Sequence, residues 1–206
     1  AHVLQKERGC SNLYLCGGQD TLRQTLAGLS SDASAVEEEV RRFLDRLEPD
    51  VTRSAGKARL LNCVAYALYR LDELPRLRGR IRDRRVVAEE AGAAFTKLIA
   101  SLFALVFEAA DSSLDAGVTQ LLVALLNFMQ GKELCGQERA HGVMGYTAGF
   151  FTEPQKARLL ELADLQKRCF DGFAQCAAPD ALAAWGQLAP GAGPVSYTHL
   201  TLPTIL

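Results

Sequence analysis

The sequence predicts an all-α protein of packed, antiparallel helices. Apolar residues recur at spacings of three and four along most of the chain, and the alternation typical of strands is almost absent. Prolines and glycines divide this pattern into roughly eight segments, and helices joined by short loops pack as neighbours. The pattern leaves open whether one bundle or two form, with residues 48–57 and 71–85 as candidate seams.

The first half of the chain has helix boundaries that capping residues predict. A first helix is expected over residues 3–16, because the glycines at 17 and 18 suit a helix C-terminus. A second is expected over residues 20–29. A third, over residues 35–47, follows the capping residues of the SSDAS cluster and ends before Pro49. Its apolar stripe consists of Val36, Val40, Phe43, Leu44 and Leu47.

The later helices are bounded mainly by prolines and glycines. We expect them over residues 55–71, 86–110, 115–150 and 152–176, with a short amphipathic piece after Pro179 that contains Trp185. Gly131 and Gly136 are candidate bends in the long helix over residues 115–150.

Charge and composition limit the possible functions. The 206 residues are 49% hydrophobic, enough for a substantial core. The net charge of −1 removes the cationic excess that general nucleic-acid binding requires. Six arginines in PRLRGRIRDRR, residues 75–85, could form a local patch for nucleic acid or an acidic partner. We favour a solvated connector, because the segment contains no interleaved aromatic residues.

The chain has no recognisable catalytic, metal or membrane motif. Its six cysteines form no CxxC pair and have no zinc-ligand spacing, which favours reduced core thiols in a cytoplasmic protein. No GxSxG, P-loop or GxGxxG motif is present, so we expect no catalytic residue, metal or cofactor. The most apolar run, residues 96–110, is shorter than the roughly 20 residues of a membrane span. We interpret it as a core helix and expect no membrane partner.

Two similar stretches, QKERG and GQERA, place Arg8 and Arg139 in comparable surroundings far apart in the chain. Ser11 and Asn12 lie three and four positions after Arg8, on the same helix face. A planar guanidinium with forked donors suits a small planar oxyanion, so the two arginines could clamp one. The alternative is a solvated face or a salt bridge, which is the commoner role of either arginine considered alone.

Three stretches together resemble the NIT domain, the nitrate- and nitrite-sensing module. They are LQKERGCSNLYL near the start, LPRLRGRI followed by AAFTKLIASLFALV in the middle, and KELCGQERAHGVM later. The resemblance implies an all-helical fold of two four-helix bundles. It also implies a nitrate or nitrite site formed by arginines of the first and last stretches, which here are Arg8 and Arg139.

The resemblance further implies a larger regulator. The ERGCSNLYL and PDALAAWGQL stretches are most similar to nitrate-regulatory proteins with a C-terminal ANTAR domain, an RNA-binding antiterminator. RNA would therefore be bound only through an output domain that this sequence does not contain. We expect a NIT-like domain over residues 1–178, the start of a helical linker over 179–193, and a non-native, adaptor-like tail over 194–206. A further helical turn is expected before Ala1.

These inferences combine into one expected function. We expect a cytoplasmic sensor domain, not an enzyme, that binds nitrate or nitrite through Arg8 and Arg139, with Ser11 and Asn12 as further contacts. It would form a homodimer, and the anion would favour one helix arrangement and so change the output domain. The alternative is a helical scaffold or dimerisation module without an anion ligand. A nitrate or nitrite reductase is disfavoured, because that chemistry needs a redox cofactor.

Overall fold

The computed structural model describes residues 1–17, 20–44 and 55–188. Within these ranges the chain forms eight α-helices and no β-strand, which confirms the all-α prediction. The helices are α1 (His2–Gly17), α2 (Asp20–Leu44), α3 (Ala55–Asp72), α4 (Leu74–Arg82), α5 (Ala88–Asp111), α6 (Ala116–Ala148), α7 (Glu153–Cys176) and α8 (Pro179–Leu188).

The chain divides into two compact units, Ala1–Ser112 and Ser113–Leu206. Of the described helices, α1 to α5 belong to the first unit and α6 to α8 to the second. Neither of the seams expected at residues 48–57 and 71–85 separates the units. The physical reason is that α5 packs against both α1 and α3, so that the helices on either side of each expected seam share one core.

Helix α5 is the centre of the first unit. Its Phe95 and Ile99 are fully buried, and the helix packs against α1 and α3. Among the described helices, α5 is the one long and apolar enough to cross a membrane, a test that core helices of soluble proteins also pass. The contacts with two neighbouring helices favour the predicted role as a core helix.

Helix α2 differs from its prediction. The sequence predicted one helix over residues 20–29 and another after the SSDAS cluster, but a single helix spans Asp20–Leu44. The serine hydroxyls make other bonds: Ser34 Oγ donates to the Ser30 carbonyl oxygen, 2.9 Å away and one turn earlier. A hydroxyl satisfied in this way does not interrupt the helix.

The apolar stripe predicted on this segment agrees with the structure only in part. Val36 is 40% exposed and Phe43 is 65% exposed, and Leu47 lies outside the described residues. Val40 and Leu44 are half-buried, on the helix face that carries the buried Ala33.

The arginine-rich segment is a helix, not a solvated connector. Residues 75–82 of this segment belong to α4, with Pro75 in the first turn, where the missing N–H costs no hydrogen bond. Leu74 and Ile81 of this helix are buried in the first unit. The arginines have separate surroundings: Arg78 is largely buried, whereas Arg80 pairs with Glu90 at the surface.

The second unit is built on the long contact of α6 with α7. Gly131, predicted as a bend, lies against α7: an added Cβ would be 2.8 Å from a ring carbon of Phe170. The helix continues through Gly131 and Gly136, so the glycine at 131 serves close packing. Thr152 begins α7 as predicted, with a complete capping box.

Helix α8 closes an aromatic cluster in the second unit. The ring of Trp185 stacks on Phe170, with centroids 5.0 Å apart, and meets Phe128 and Phe173 edge-on. The first part of the expected linker, residues 179–188, therefore contributes to the packing of this unit. The expectations for residues 189–193 and for the tail, 194–206, lie outside the described residues.

Candidate functional site

Arg8 is a buried charge on α1. Only 3% of the residue is exposed, and its Nη1 donates to Thr96 Oγ1 of α5 at 2.9 Å. The guanidinium therefore lies where α1 packs on α5, the centre of the first unit. Burial of a charge is costly unless charges or hydrogen bonds offset it, and the bond to Thr96 offsets part of that cost.

Ser11 and Asn12 accompany Arg8 on α1 and are buried with it, at 0% and 8% exposure. Ser11 Oγ donates to the Glu7 carbonyl oxygen at 2.7 Å, so that hydroxyl is engaged within its own helix. The Asn12 Oδ1 atom is buried and has no hydrogen-bond partner in the described chain. The Asn12 amide faces α5 at Gly92, where an added Cβ would be 3.4 Å away.

Arg139 has different surroundings. It lies on α6 in the second unit, and its side chain is exposed. Apart from the neighbouring backbone of α6 itself, no heavy atom of the described residues lies within 4 Å of a Cβ added at Gly142, so there is room near Arg139 as the sequence predicted. Arg8 belongs to the first unit and Arg139 to the second, and their pairing stays a prediction.

A hydrogen-bond chain next to Arg139 links α6 to α7. Cys135 Sγ donates to Gln166 Oε1 at 3.2 Å, and Gln166 Nε2 donates to Glu138 Oε2 at 2.6 Å. Gln166 is 1% exposed, so the polar chain is held in the core of the second unit. It gives the segment before Arg139 a fixed position on α7.

Comparison with known proteins identifies the family. The sequence profile of the nitrate and nitrite sensing family, NIT, matches residues 1–199. The chain belongs to the NIT family. This confirms the resemblance found in the ERG and QERA stretches, and it makes the chain a nitrate- and nitrite-sensing domain by family.

Two similar proteins agree with this assignment. A nitrate regulatory protein of Klebsiella oxytoca is 40% identical over 186 residues, which are 90% of this chain and 46% of that protein. The solved structure of the NasR transcription antiterminator has a TM-score of 0.80 and 39% identity, over 90% of this chain and 49% of that one. The chain thus spans about half the length of the relatives it matches.

The NIT chain contains a buried ion pair that the sequence did not predict. Glu7, which is fully buried, accepts from Arg78 Nε at 2.6 Å and from Arg78 Nη2 at 2.9 Å. Ser30 Oγ also donates to Glu7 Oε1, and Arg78 Nη1 donates to Ser34 Oγ. The network joins α1, α2 and α4 on residues that adjoin the candidate site.

Only a coarse sequence signal exists for this pair and for the Thr96 contact. Glu7 and Arg78 lie in the first and second of the stretches that resemble the NIT family, and Thr96 lies in the AAFTKLIASLFALV stretch. The resemblance marks these stretches as parts of the family pattern, but it does not say which side chains meet.

Three thiols of the NIT chain are poor nucleophiles. Burial, together with the negative charge of Glu138, raises the pKa of Cys135 to about 11. Burial also raises the pKa values of Cys10 and Cys169. Thiols with raised pKa values stay protonated at neutral pH, which makes them unreactive. Among the described residues, no group of His, Cys, Asp or Glu is arranged to hold a metal ion.

Proposed function

We propose that this NIT domain binds nitrate or nitrite through the guanidinium groups of Arg8 and Arg139, with Asn12 and Ser11 as supporting groups. The observation that carries the proposal is the buried cluster on α1, in which a charged Arg8 lies near an unpartnered Asn12 amide oxygen. A small anion would offset the cost of burying the guanidinium charge.

The chemistry of the cluster favours an anion over a cation or a neutral ligand. The nearest carboxylate in sequence, Glu7, already accepts three hydrogen bonds from Arg78 and Ser30. An amide that rotates by 180° replaces its Oδ1 with its Nδ2, so Asn12 can present a donor to an oxyanion. Thr96 holds one arm of Arg8 and limits the directions in which the remaining N–H groups point.

Arg139 is assigned to the same anion from the sequence resemblance. Its exposed side chain, on an α6 segment fixed to α7 through Gln166, can reach a ligand at small conformational cost. Ligation by both arginines would favour one arrangement of the helices over another, which is how a ligand shifts a conformational equilibrium. An anion that bound every arrangement equally would transmit no signal.

We further propose that the domain regulates an output domain in a cytoplasmic antitermination protein, and that it is a sensor and not an enzyme. The names of the two similar proteins, a nitrate regulatory protein and a transcription antiterminator, support this role. RNA would be a partner of the output domain only. A homodimer is supported by exposed apolar residues of the first unit, with Phe43 at 65% exposure and Tyr69 at 58%.

The proposal is tested by calorimetric titration of nitrate and nitrite into the full chain and two variants, Arg8→Ala and Arg139→Ala. Hydrogen bonds to charged groups contribute about 1.5–3 kcal/mol, so each variant should weaken binding roughly 10- to 100-fold. The matched control is Arg168→Ala, because Arg168 is an exposed arginine of the second unit that pairs with Asp164.

Arg8→Lys is a second variant at the buried position. Lysine keeps the positive charge but lacks the planar, forked donors of the guanidinium. The variant should therefore fold, and it should bind nitrate more weakly than the wild-type chain does. Binding that survives unchanged in both alanine variants would overturn the proposal and leave the scaffold alternative. Binding lost equally in Arg168→Ala would also overturn it, because the effect would then be one of overall charge.

A further inference from the structure

The first unit contains a cavity of about 210 Å³ where α1, α2 and α4 meet. Its walls come from one face of each helix, and all of them belong to Ala1–Ser112. Neither Arg8 nor Asn12 lines it, and Ser11 is the one candidate nitrate residue that reaches its wall. The bond of Arg8 to Thr96 leads to α5 instead. The cavity therefore adjoins the proposed nitrate site at Ser11 but includes neither Arg8 nor Asn12.

The charges that line the cavity are unbalanced. Glu7 and Arg78 neutralise each other in the buried ion pair. Arg23 of α2 and Arg82 of α4 also line the cavity; both are exposed, and neither has an ion pair among the described residues. The mouth of the cavity is therefore cationic.

The interior of the cavity is mainly apolar. Leu26 and Ile81 are buried residues of its wall, and so is the ring of Tyr14. The hydroxyl of Tyr14 donates to the backbone oxygen of Arg82, which fixes the ring across one end. A cavity with two cations at its mouth and apolar walls inside fits a ligand with an anionic head and an apolar body.

We propose that this cavity binds a small organic carboxylate. The carboxylate would accept hydrogen bonds from Arg23 and Arg82, and the apolar body would contact Leu26 and Ile81. An inorganic oxyanion would leave the apolar walls unfilled. A nucleotide is too large, because pockets for ligands of that size measure about 300–1,000 Å³. The planar fork of each arginine suits a carboxylate and gives it a defined direction.

Calorimetric titration with benzoate and with glutarate tests the proposal on the full chain, with benzamide as the uncharged probe. We expect saturable binding of at least one carboxylate with a dissociation constant of about 1 mM or tighter, and no binding of benzamide. Arg23→Ala and Arg82→Ala should each weaken carboxylate binding about tenfold or more. Arg42→Ala is the matched control, an exposed arginine of α2 outside the cavity.

A second variant tests the cavity itself. Ala27 lines it and is exposed, so Ala27→Phe should fill part of the space without burial of a new polar group. This variant should abolish carboxylate binding and leave nitrate binding intact, which separates the inference from the proposed function. Saturable binding of neither carboxylate to folded wild-type chain would overturn the inference. Carboxylate binding unchanged in Arg23→Ala, Arg82→Ala and Ala27→Phe would also overturn it.

Discussion

Glu7 and Arg8 are consecutive residues of one helix with different roles. Successive positions on a helix point about 100° apart, so their side chains leave α1 on different faces. Arg8 faces α5 through Thr96, whereas Glu7 faces α2 and α4 through Ser30 and Arg78. The buried carboxylate therefore fixes the helix rotation that places the buried guanidinium against α5.

Removal of one partner of the Glu7–Arg78 pair should destabilise the protein more than replacement of both. Loss of one partner of a buried pair leaves an uncompensated charge and costs about 3–5 kcal/mol. We expect Arg78→Met to lower the free energy of unfolding in urea by about that amount. The double variant Glu7→Leu with Arg78→Met should recover most of it, since an apolar replacement of both partners is often neutral.

The matched control for this prediction is a surface pair. Arg168 and Asp164 have side chains 73% and 58% exposed, and exposed pairs contribute about 0–1 kcal/mol. Arg168→Met should therefore change the urea midpoint very little. A loss in Arg78→Met no greater than in the control would contradict the prediction, and so would a double variant less stable than Arg78→Met.

At the scale of the elements, periodicity predicts the presence of a helix more reliably than it predicts where the helix begins and ends. The helices around Arg8 and Arg139 were predicted close to their observed bounds, because glycines and prolines mark them. The SSDAS cluster misled the prediction, since Ser30 and Ser34 bond to groups that are distant in sequence or one turn back. Capping residues in a sequence do not show whether tertiary partners use their hydroxyls instead.

Gly131 on α6 provides a test of close helix packing. An added Cβ would lie 2.8 Å from the Phe170 ring, and a ring held by Trp185 and Phe128 cannot move freely. Overpacking costs about 1–3 kcal/mol, against about 0.5–1 kcal/mol gained by alanine over glycine in a helix. Gly131→Ala should therefore lower the free energy of unfolding by roughly 1 kcal/mol in chemical denaturation.

Gly142→Ala on the same helix is the control, with the opposite expected sign. Beyond the backbone of its own helix, nothing in the described part of the chain lies within 4 Å of its added Cβ, so only the helix-propensity gain of about 0.5–1 kcal/mol applies. If both alanine variants stabilise the protein, the contact at Gly131 is looser than its geometry indicates. If both destabilise it, the space at Gly142 is not open.

At the scale of the whole molecule, the sequence predicted the family and the fold class, and the NIT resemblance predicted two bundles. The position of the boundary between the two units, after Ser112, was not predicted. Periodicity and short connections indicate neighbouring helices, yet they do not say which helices share a core. That depends on contacts such as those of α5 with both α1 and α3. The arginines of the candidate site could be predicted from family stretches. The contacts of Thr96 and Arg78 could not, because a sequence pattern does not show which side chains of different helices meet.

Nitrate should stabilise both units if Arg8 and Arg139 ligate the same anion. A ligand at 100 times its dissociation constant contributes about 2.7 kcal/mol. In a chain of this size that raises the melting temperature by roughly 5–10 °C. Trp185 is the only tryptophan of the chain and packs in the second unit. The melting temperature followed by its fluorescence should therefore rise with nitrate, and so should the melting temperature of the whole chain followed by circular dichroism.

Chloride at equal ionic strength is the control. A tryptophan melt that stays fixed while the circular dichroism melt rises would exclude Arg139 as a ligand, and equal melts in nitrate and chloride would favour the scaffold alternative.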